Sequence, residues 1–326
     1  VNILACVCTL MASIDVYGLS GESLKIDLDL QKTVFDMREQ ISQLYAIPPQ
    51  CLQLLMGTSA LNDKDCLAEH CGVEADGALA GVRVTAILSL ASLHDDICNG
   101  TRAKKVEALR NLCTLGLRGG EQAVDVVVIA MEDPVTVTRN EAVQSLKRIV
   151  KPGDVHAIKS VSALLTHRMP DVRRTAIRAL QILVRSGDDE GCGVVSSYVT
   201  HSNPDVRAAA LQALGRVVPR GCASSELLDL VSSNICDHDD AVRFNALNCL
   251  ACIMDKFDKD IVQVVLERLD DAVPQVRGAA LQALASVATH HEEQVVEAIS
   301  RRLADEDDLV CEAASACLEA LGARIS

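Results

Sequence analysis

The sequence predicts an α+β domain at the N-terminus followed by an all-α repeat array. Apolar residues alternate, or follow one helix, over residues 12–90, and then keep a helical period. A segment beginning Pro170-Asp171-Val172-Arg173 returns as Pro204-Asp205-Val206-Arg207, and weaker copies follow. Composition bounds both halves: 49% apolar and 23% charged residues in 326 form an ordinary globular balance.

The first part reads element by element. Ser13-Ile14-Asp15-Val16-Tyr17 alternates, as does Leu24-Lys25-Ile26-Asp27-Leu28, and Gly18-Leu19-Ser20-Gly21 supplies a turn between them, giving a β-hairpin. Thr33 to Tyr45 places Val34, Met37, Ile41 and Leu44 at helical spacing. Thr33 with Asp36 starts that helix in the manner of a capping box, and Pro48-Pro49 stops it. Gln53 to Met56 and Val82 to Leu88 are further strands, so the order is β-β-α-β-β. Residues 1–11 read as a leader or fragment edge, with Met11 as initiator, because Val1 to Leu10 lacks the charged start of a signal peptide.

These residues resemble ubiquitin and its relatives, the β-grasp family. The resemblance is carried by Ile47-Pro48-Pro49-Gln50 after an amphipathic helix, by Leu54-Leu55, by Leu19-Ser20-Gly21, and by Leu61-Asn62-Asp63 before Cys66-Leu67. It covers residues 12–90, about a quarter of the chain. It implies a docking module whose apolar sheet patch is read by ubiquitin receptors or the proteasome. Leu19 and Leu55 fall on two patch positions and the third falls near Thr85, which is polar. Leu55 equally fits an ordinary exposed apolar residue. Conjugation is not expected, because Val82 to Leu88 runs on into Ser89-Leu90-Ala91. Leu117-Arg118-Gly119-Gly120 spells a modifier's tail, yet lies between two helices, where its glycines read as a helix end and a loop.

Residues 91–97 are expected to be a linker and 98–326 an array of about seven units, the last degenerate. The repeat register is marked by Arg139, Arg173, Arg207, Arg243 and Arg277, at spacings of 34, 34, 36 and 34. Each period holds two helices. The signature helix puts Ala176, Ile177, Leu180, Leu183 and Val184 on one face and Arg174, Arg178, Gln181 and Arg185 on the other. A second helix precedes it, as at Val155 to Leu165 or Ile261 to Leu269. No helix pair buries its apolar face alone, so neighbours must stack.

The pattern resembles HEAT repeats, an armadillo-like, right-handed α-solenoid. The resemblance implies a ladder between an Asp near each inter-helix turn and the Arg opening the next helix. The acids are Asp133, Asp237, Asp271 and Asp305, with His167 and His201 standing where two further acids are expected. It also implies that the signature helices line a concave face. There Gln144, Arg178, Gln212, Asn248 and Gln282 form a polar column, with Arg174 beside it. Such a column suits a peptide or helical partner, since side-chain amides both donate and accept, and equally serves to solubilise a face. Arginines cluster early (Arg168 to Arg185) and acids late (Asp305 to Glu319), which would orient a partner.

Several functions are disfavoured. A net charge of −14 lacks the basic footprint of a nucleic-acid or anionic-membrane binder. Aromatics at 2% give no base-stacking platform. No apolar run of about 18 residues is present, so no transmembrane helix is expected. Fourteen scattered cysteines, such as Cys113, Cys249, Cys252 and Cys317, read as small core residues in a reducing compartment, and hence a cytoplasmic or nuclear protein. Cys249-Leu250-Ala251-Cys252 and the Cys66, His70, Cys71 cluster lack the four convergent ligands of structural zinc. No cofactor, metal or catalytic residue is expected. The expected role is a non-enzymatic adaptor for proteins: ubiquitin receptors or proteasome subunits, plus a cargo. The alternative is a HEAT-scaffold enzyme resembling bilin lyases or the metal-dependent deoxyhypusine hydroxylase. The latter carries repeated His-Glu pairs, whereas here only His291-Glu292 occurs.

Overall fold

A computed structural model describes residues 11–17, 23–29, 31–70, 82–255, 258–287 and 293–323. The chain divides into two compact units, 1–149 and 150–326.

The first unit begins with a mixed five-stranded sheet of order β2-β1-β5-β3-β4. Strand β1 (Met11–Tyr17) pairs antiparallel with β2 (Ser23–Asp29) and parallel with β5 (Val82–Leu88). Strand β3 (Leu52–Met56) pairs antiparallel with β5 and with the short β4 (Ser59–Ala60). The period-2 alternation sends Ile14, Val16, Ile26, Leu28, Leu54, Val84 and Ala86 to one face, where all are buried. Helix α1 (Val34–Tyr45) covers that face with Val34, Met37 and Ile41. Its start is the expected capping box: Asp36 N–H donates to Thr33 Oγ1, and Thr33 N–H donates to Asp36 Oδ2 at 2.9 Å. Its end turns through Ala46 in the left-handed region, ahead of Pro48-Pro49. Leu44, expected on the apolar face, is exposed at 56%. A one-turn helix α2 (Leu67–His70) closes the module. The hairpin turn 18–21 lies outside the described residues.

The expected linker is a helix, and this corrects the domain boundary. Helix α3 (Ala91–Asn99) buries Leu93 and Ile97, four residues apart and so on one face. Helices α4 (Arg102–Leu115), α5 (Gly120–Met131) and α6 (Thr136–Ile149) follow, and α3 packs on α4 and α5. The helical part therefore begins at Ala91. The sheet and α3–α6 form one compact unit, tied by Ser89 N–H donating to Cys51 O at 2.8 Å.

Leu117-Arg118-Gly119-Gly120 is part of that tie. Arg118 donates from Nη1 to Tyr45 O at 2.8 Å and from Nη2 to Ala46 O at 3.0 Å, satisfying carbonyls at the end of α1. Gly119 is buried so closely that a Cβ would lie 2.5 Å from Ala123 Cβ, and Gly120 has φ 57°. These glycines build a turn between helices. Arg118→Ala is expected to cost the first unit about 1–2 kcal/mol, two charge-assisted bonds at an exposed site. An unchanged urea midpoint by circular dichroism would show the clamp to be idle.

The second unit alternates short and long helices. The short ones are α7 (Val155–Ala163), α9 (Asp189–Ser196), α11 (Ser225–Ser233), α13 (Lys259–Glu267) and α15 (Glu293–Arg301). The long ones are α8 (Pro170–Leu183), α10 (Pro204–Val217), α12 (Asp240–Ile253), α14 (Pro274–Val287) and α16 (Asp308–Ala323). Asp154, Asp188, Ser224 and Asp258 cap the first four short helices through their side chains. Each short helix ends in a 3-10 turn, so α7 and α13 stop before the expected Leu165 and Leu269. Proline opens α8, α10 and α14, where its missing N–H costs nothing.

The long helices stack in sequence, α8 on α10 on α12 on α14 on α16. Val172, Ala176, Leu180, Leu211, Leu214, Leu247 and Leu250 fill the seams, each at most 1% exposed. Of the cysteines expected in the core, Cys249 and Cys317 are buried, Cys113 is half-buried and Cys252 is exposed. Cys252 is a correction: it sits on the solvent edge of α12, less than a turn beyond Cys249. Burial pushes the Cys249 thiol pKa up, with Cys252 adding to the effect.

Candidate functional site

Two surfaces carry the sequence-predicted residues. The first is the open face of the sheet. Because Val16, Leu54, Val84 and Ala86 point inward, their neighbours Tyr17, Leu55 and Thr85 point outward. Register places Thr85 opposite Leu55 on one side and Tyr17 on the other. Two of the three expected patch positions are therefore adjacent and half-buried, while Leu19 lies outside the described residues. Sequence reasoning missed the flank: the Arg83 guanidinium stands 5.1 Å from the Tyr17 ring centroid. Cross-strand alternation, read on both strands together, was the available signal.

The second surface is the solvent side of the long helices. Arg174 and Arg178 on α8, Gln212 on α10, Asn248 on α12 and Gln282 on α14 are exposed or half-buried. Helix stacking sets the last four in one row across the second unit. Gln144 is exposed on α6 of the first unit. Phe244 on α12, one position after Arg243 in the register, is exposed and was not anticipated.

The ladder holds this surface in register. Arg207 donates from Nε and Nη2 to both carboxylate oxygens of Asp237, at 2.9 and 2.8 Å. Arg243 does the same to Asp271, at 2.8 and 2.9 Å. Arg277 reaches Asp305 at 2.6 Å. Each arginine therefore bridges to the following repeat. Its Nη1 meanwhile caps its own turn: Arg207 on His201 O, Arg243 on Asp237 O, Arg277 on Asp271 O, and, in the first unit, Arg139 on Asp133 O. Asp133 also accepts from Lys105 Nζ at 2.7 Å. Lys105 was not foreseen in the ladder.

Histidine changes two turns. Asp237, Asp271 and Asp305 each accept the backbone N–H two residues on. His167 and His201 do this with Nδ1, from Met169 N–H and Asn203 N–H, both at 3.1 Å. An imidazole can thus replace the turn function of aspartate but cannot pair with arginine. Arg173 instead reaches Asp205 on α10, in the following repeat and four residues after His201, at 2.9 Å. That carboxylate is 62% exposed, against 5% for Asp271, so this rung is the weakest.

The ladder sets a pH response. Burial pushes the carboxyls of Asp237, Asp271 and Asp305 up, but hydrogen bonds from arginine and backbone, with the arginine charge, outweigh it. Each lies below the ordinary 3.8. The unfolded chain therefore binds more protons near that pH. Stability from the rungs is full above about pH 4 and falls as pH drops through the lower folded values. The urea midpoint is expected to hold between about pH 7 and 5 and to drop below about pH 4. A midpoint rising on acidification would contradict this sign.

Among the described residues, no group of three or more His, Cys, Asp or Glu is placed to hold a metal ion. His70 instead pairs with Asp65 at 3.3 Å. Cys71 and His291-Glu292 lie outside the described residues. Within those residues, no helix is long and apolar enough to cross a membrane.

No curated protein matches the chain. One solved structure, a crystal structure of an engineered protein, is 17% identical, with 73% of this chain and 98% of that chain covered and a TM-score of 0.41. A second engineered protein is 18% identical, covering 72% and 68%, also with a TM-score of 0.41. The family model for HEAT repeats matches residues 158–221 and 198–285. The match falls on the alternating short and long helices from α7 to α14 of the second unit.

Proposed function

We propose that the chain is a non-enzymatic adaptor. Its helical repeats hold a protein partner on the solvent side of the long helices. Its sheet module is ubiquitin-like and docks to a ubiquitin receptor or a proteasome-type machine. The observation that carries the first part is the row Arg178, Gln212, Asn248 and Gln282, set on HEAT repeats whose arginines are otherwise engaged in the ladder. Support for the second part is the β-β-α-β-β-α-β order, with the first and last strands parallel neighbours within the sheet and Leu55 beside Thr85 on the open face. Buried thiols at Cys51, Cys249 and Cys317 suit action in the cytoplasm or nucleus.

The test is capture from cell lysate by the full chain beside Leu55→Asp, read by mass spectrometry. Leu55 is half-buried on the open face, so the substitution is expected to leave the fold intact. Proteasome or ubiquitin-receptor subunits are expected only with the wild type. Identical lists would reduce the sheet module to a structural part.

A further inference from the structure

The solvent side of the long helices is not uniform, and its variation names a partner chemistry. At the position after the ladder arginine, α8 carries Arg174, α12 carries Phe244, α14 carries Gly278 and α16 carries Glu312. Seven positions further on, α8 carries Gln181, α14 carries Ala285 and α16 carries Glu319. Gly278 and Ala285 thus leave two solvent-facing positions of α14 without a large side chain, one on either side of Gln282, which also lines the opening. The result is a groove of about 390 Å³ between α12, α14 and α16. Leu281 and Cys317 line its floor and are buried, Gly278, Ala285 and Ala313 open it, and Phe244 stands exposed at its edge.

The charges that the three groove helices leave outside the ladder have one sign, and Arg220, from the loop after α10, donates to Ser286 O near the end of α14. The charged side chains on α12, α14 and α16 are Asp240, Arg243, Arg277, Asp308, Glu312 and Glu319. Both arginines are spent: Arg243 on Asp271 and Arg277 on Asp305. The four acids are exposed. At the other end of the row, α8 presents Arg174 and Arg178.

We infer that the groove seats an apolar side chain from a basic segment of a partner protein, its Lys or Arg residues lying toward Glu312 and Glu319. This rests on the protein-binding reading of the same face. The groove supplies apolar contact, the acids supply steering and direction, and the α8 arginines disfavour the reversed orientation. From α12 to α16 is two interhelical steps, about 18 Å. An extended segment crosses that in about five or six residues. The recognised segment is therefore short: an apolar residue with basic residues within about five positions on one side. A second copy of this chain is a poor occupant, since its net charge is −14.

The test is selection from a displayed random-peptide library on the full chain. Selected peptides are then synthesised with a fluorescent label and measured by anisotropy. Gly278→Leu fills the groove: a Cβ there meets nothing within 4 Å, and leucine is the better helix former. It is expected to melt at or above the wild type. Peptides are expected to carry the apolar-basic pattern, to lose about tenfold or more in affinity to Gly278→Leu, and to lose a similar factor to the Glu312→Lys, Glu319→Lys variant. Binding should also weaken steeply with salt. Peptides without basic residues, or bound equally by Gly278→Leu, would overturn the groove. If those peptides instead lose affinity to Arg178→Ala, the face remains a binding surface and only the groove fails. If no peptide distinguishes the wild type from any of these variants, both readings fail. Self-association in sedimentation that disappears in Gly278→Leu would assign the groove to a second copy and overturn the proposal.

Discussion

Leu180→Asp is expected to abolish cooperative folding of the second unit. Leu180 lies in the last turn of α8 with no solvent exposure, at the seam with its neighbours. The substitution removes a fully buried leucine, worth about 1.5–3 kcal/mol. It also places a carboxylate with no partner in an apolar seam, at a cost of several kcal/mol. A domain's whole stability is about 5–15 kcal/mol, so the sum consumes much or all of it. Repeat arrays transmit the damage through nearest neighbours, so loss at α8 loosens the stack on both sides within that unit. Helical circular dichroism should fall and the urea transition should broaden. An unchanged spectrum and midpoint would show that the apolar seam is misassigned.

Asp271→Ala is expected to be the second most damaging change, at about 3 kcal/mol. Asp271 is 5% exposed, accepts two hydrogen bonds from Arg243 and one from Val273 N–H. Its loss strands Nε and Nη2 of a guanidinium that is 13% exposed. The informative control is the double change Arg243→Met with Asp271→Ala, which removes the charge left behind. It should recover part of the loss, because an unpaired buried charge costs more than an absent pair. A double variant as unstable as the sum of the singles would mean that the rung is no coupled unit.

Much of this was legible in the sequence, for a physical reason. Helix and strand periods report burial directly, so Ile14, Val16, Met37, Ile41, Ala176 and Leu180 were placed correctly. The 34-residue recurrence fixed the arginine register, and geometry then allowed few other partners. Short-range competition was harder to read. The 91–97 stretch reads as a connector because its large apolar residues are only Leu93 and Ile97, yet those two suffice for a helix once α4 and α5 are present to cover them. The ends of α7 and α13 tighten into 3-10 turns that have no composition of their own.

The site was legible in part. The polar row could be read because it is periodic. Phe244 could not, because an aromatic on a helix more often lies in the core, and only the packing of α10, α12 and α14 turns it outward. His201 illustrates the limit most clearly. Its place in the acidic register suggested a broken ladder. The structure divides aspartate's two tasks instead, giving the turn to imidazole Nδ1 and the ion pair to Asp205.

The most direct test of the adaptor account is partner capture by the full chain beside a variant carrying Arg178→Ala and Gln212→Ala. Both side chains stand on the solvent side of the long helices and outside the apolar seams, so the variant is expected to keep the wild-type melt. The account predicts that the cargo protein, identified by cross-links to α8 and α10, is lost from the variant, while proteins dependent on Leu55 remain. Equal capture of every protein by both chains would contradict it and move the binding surface off these helices.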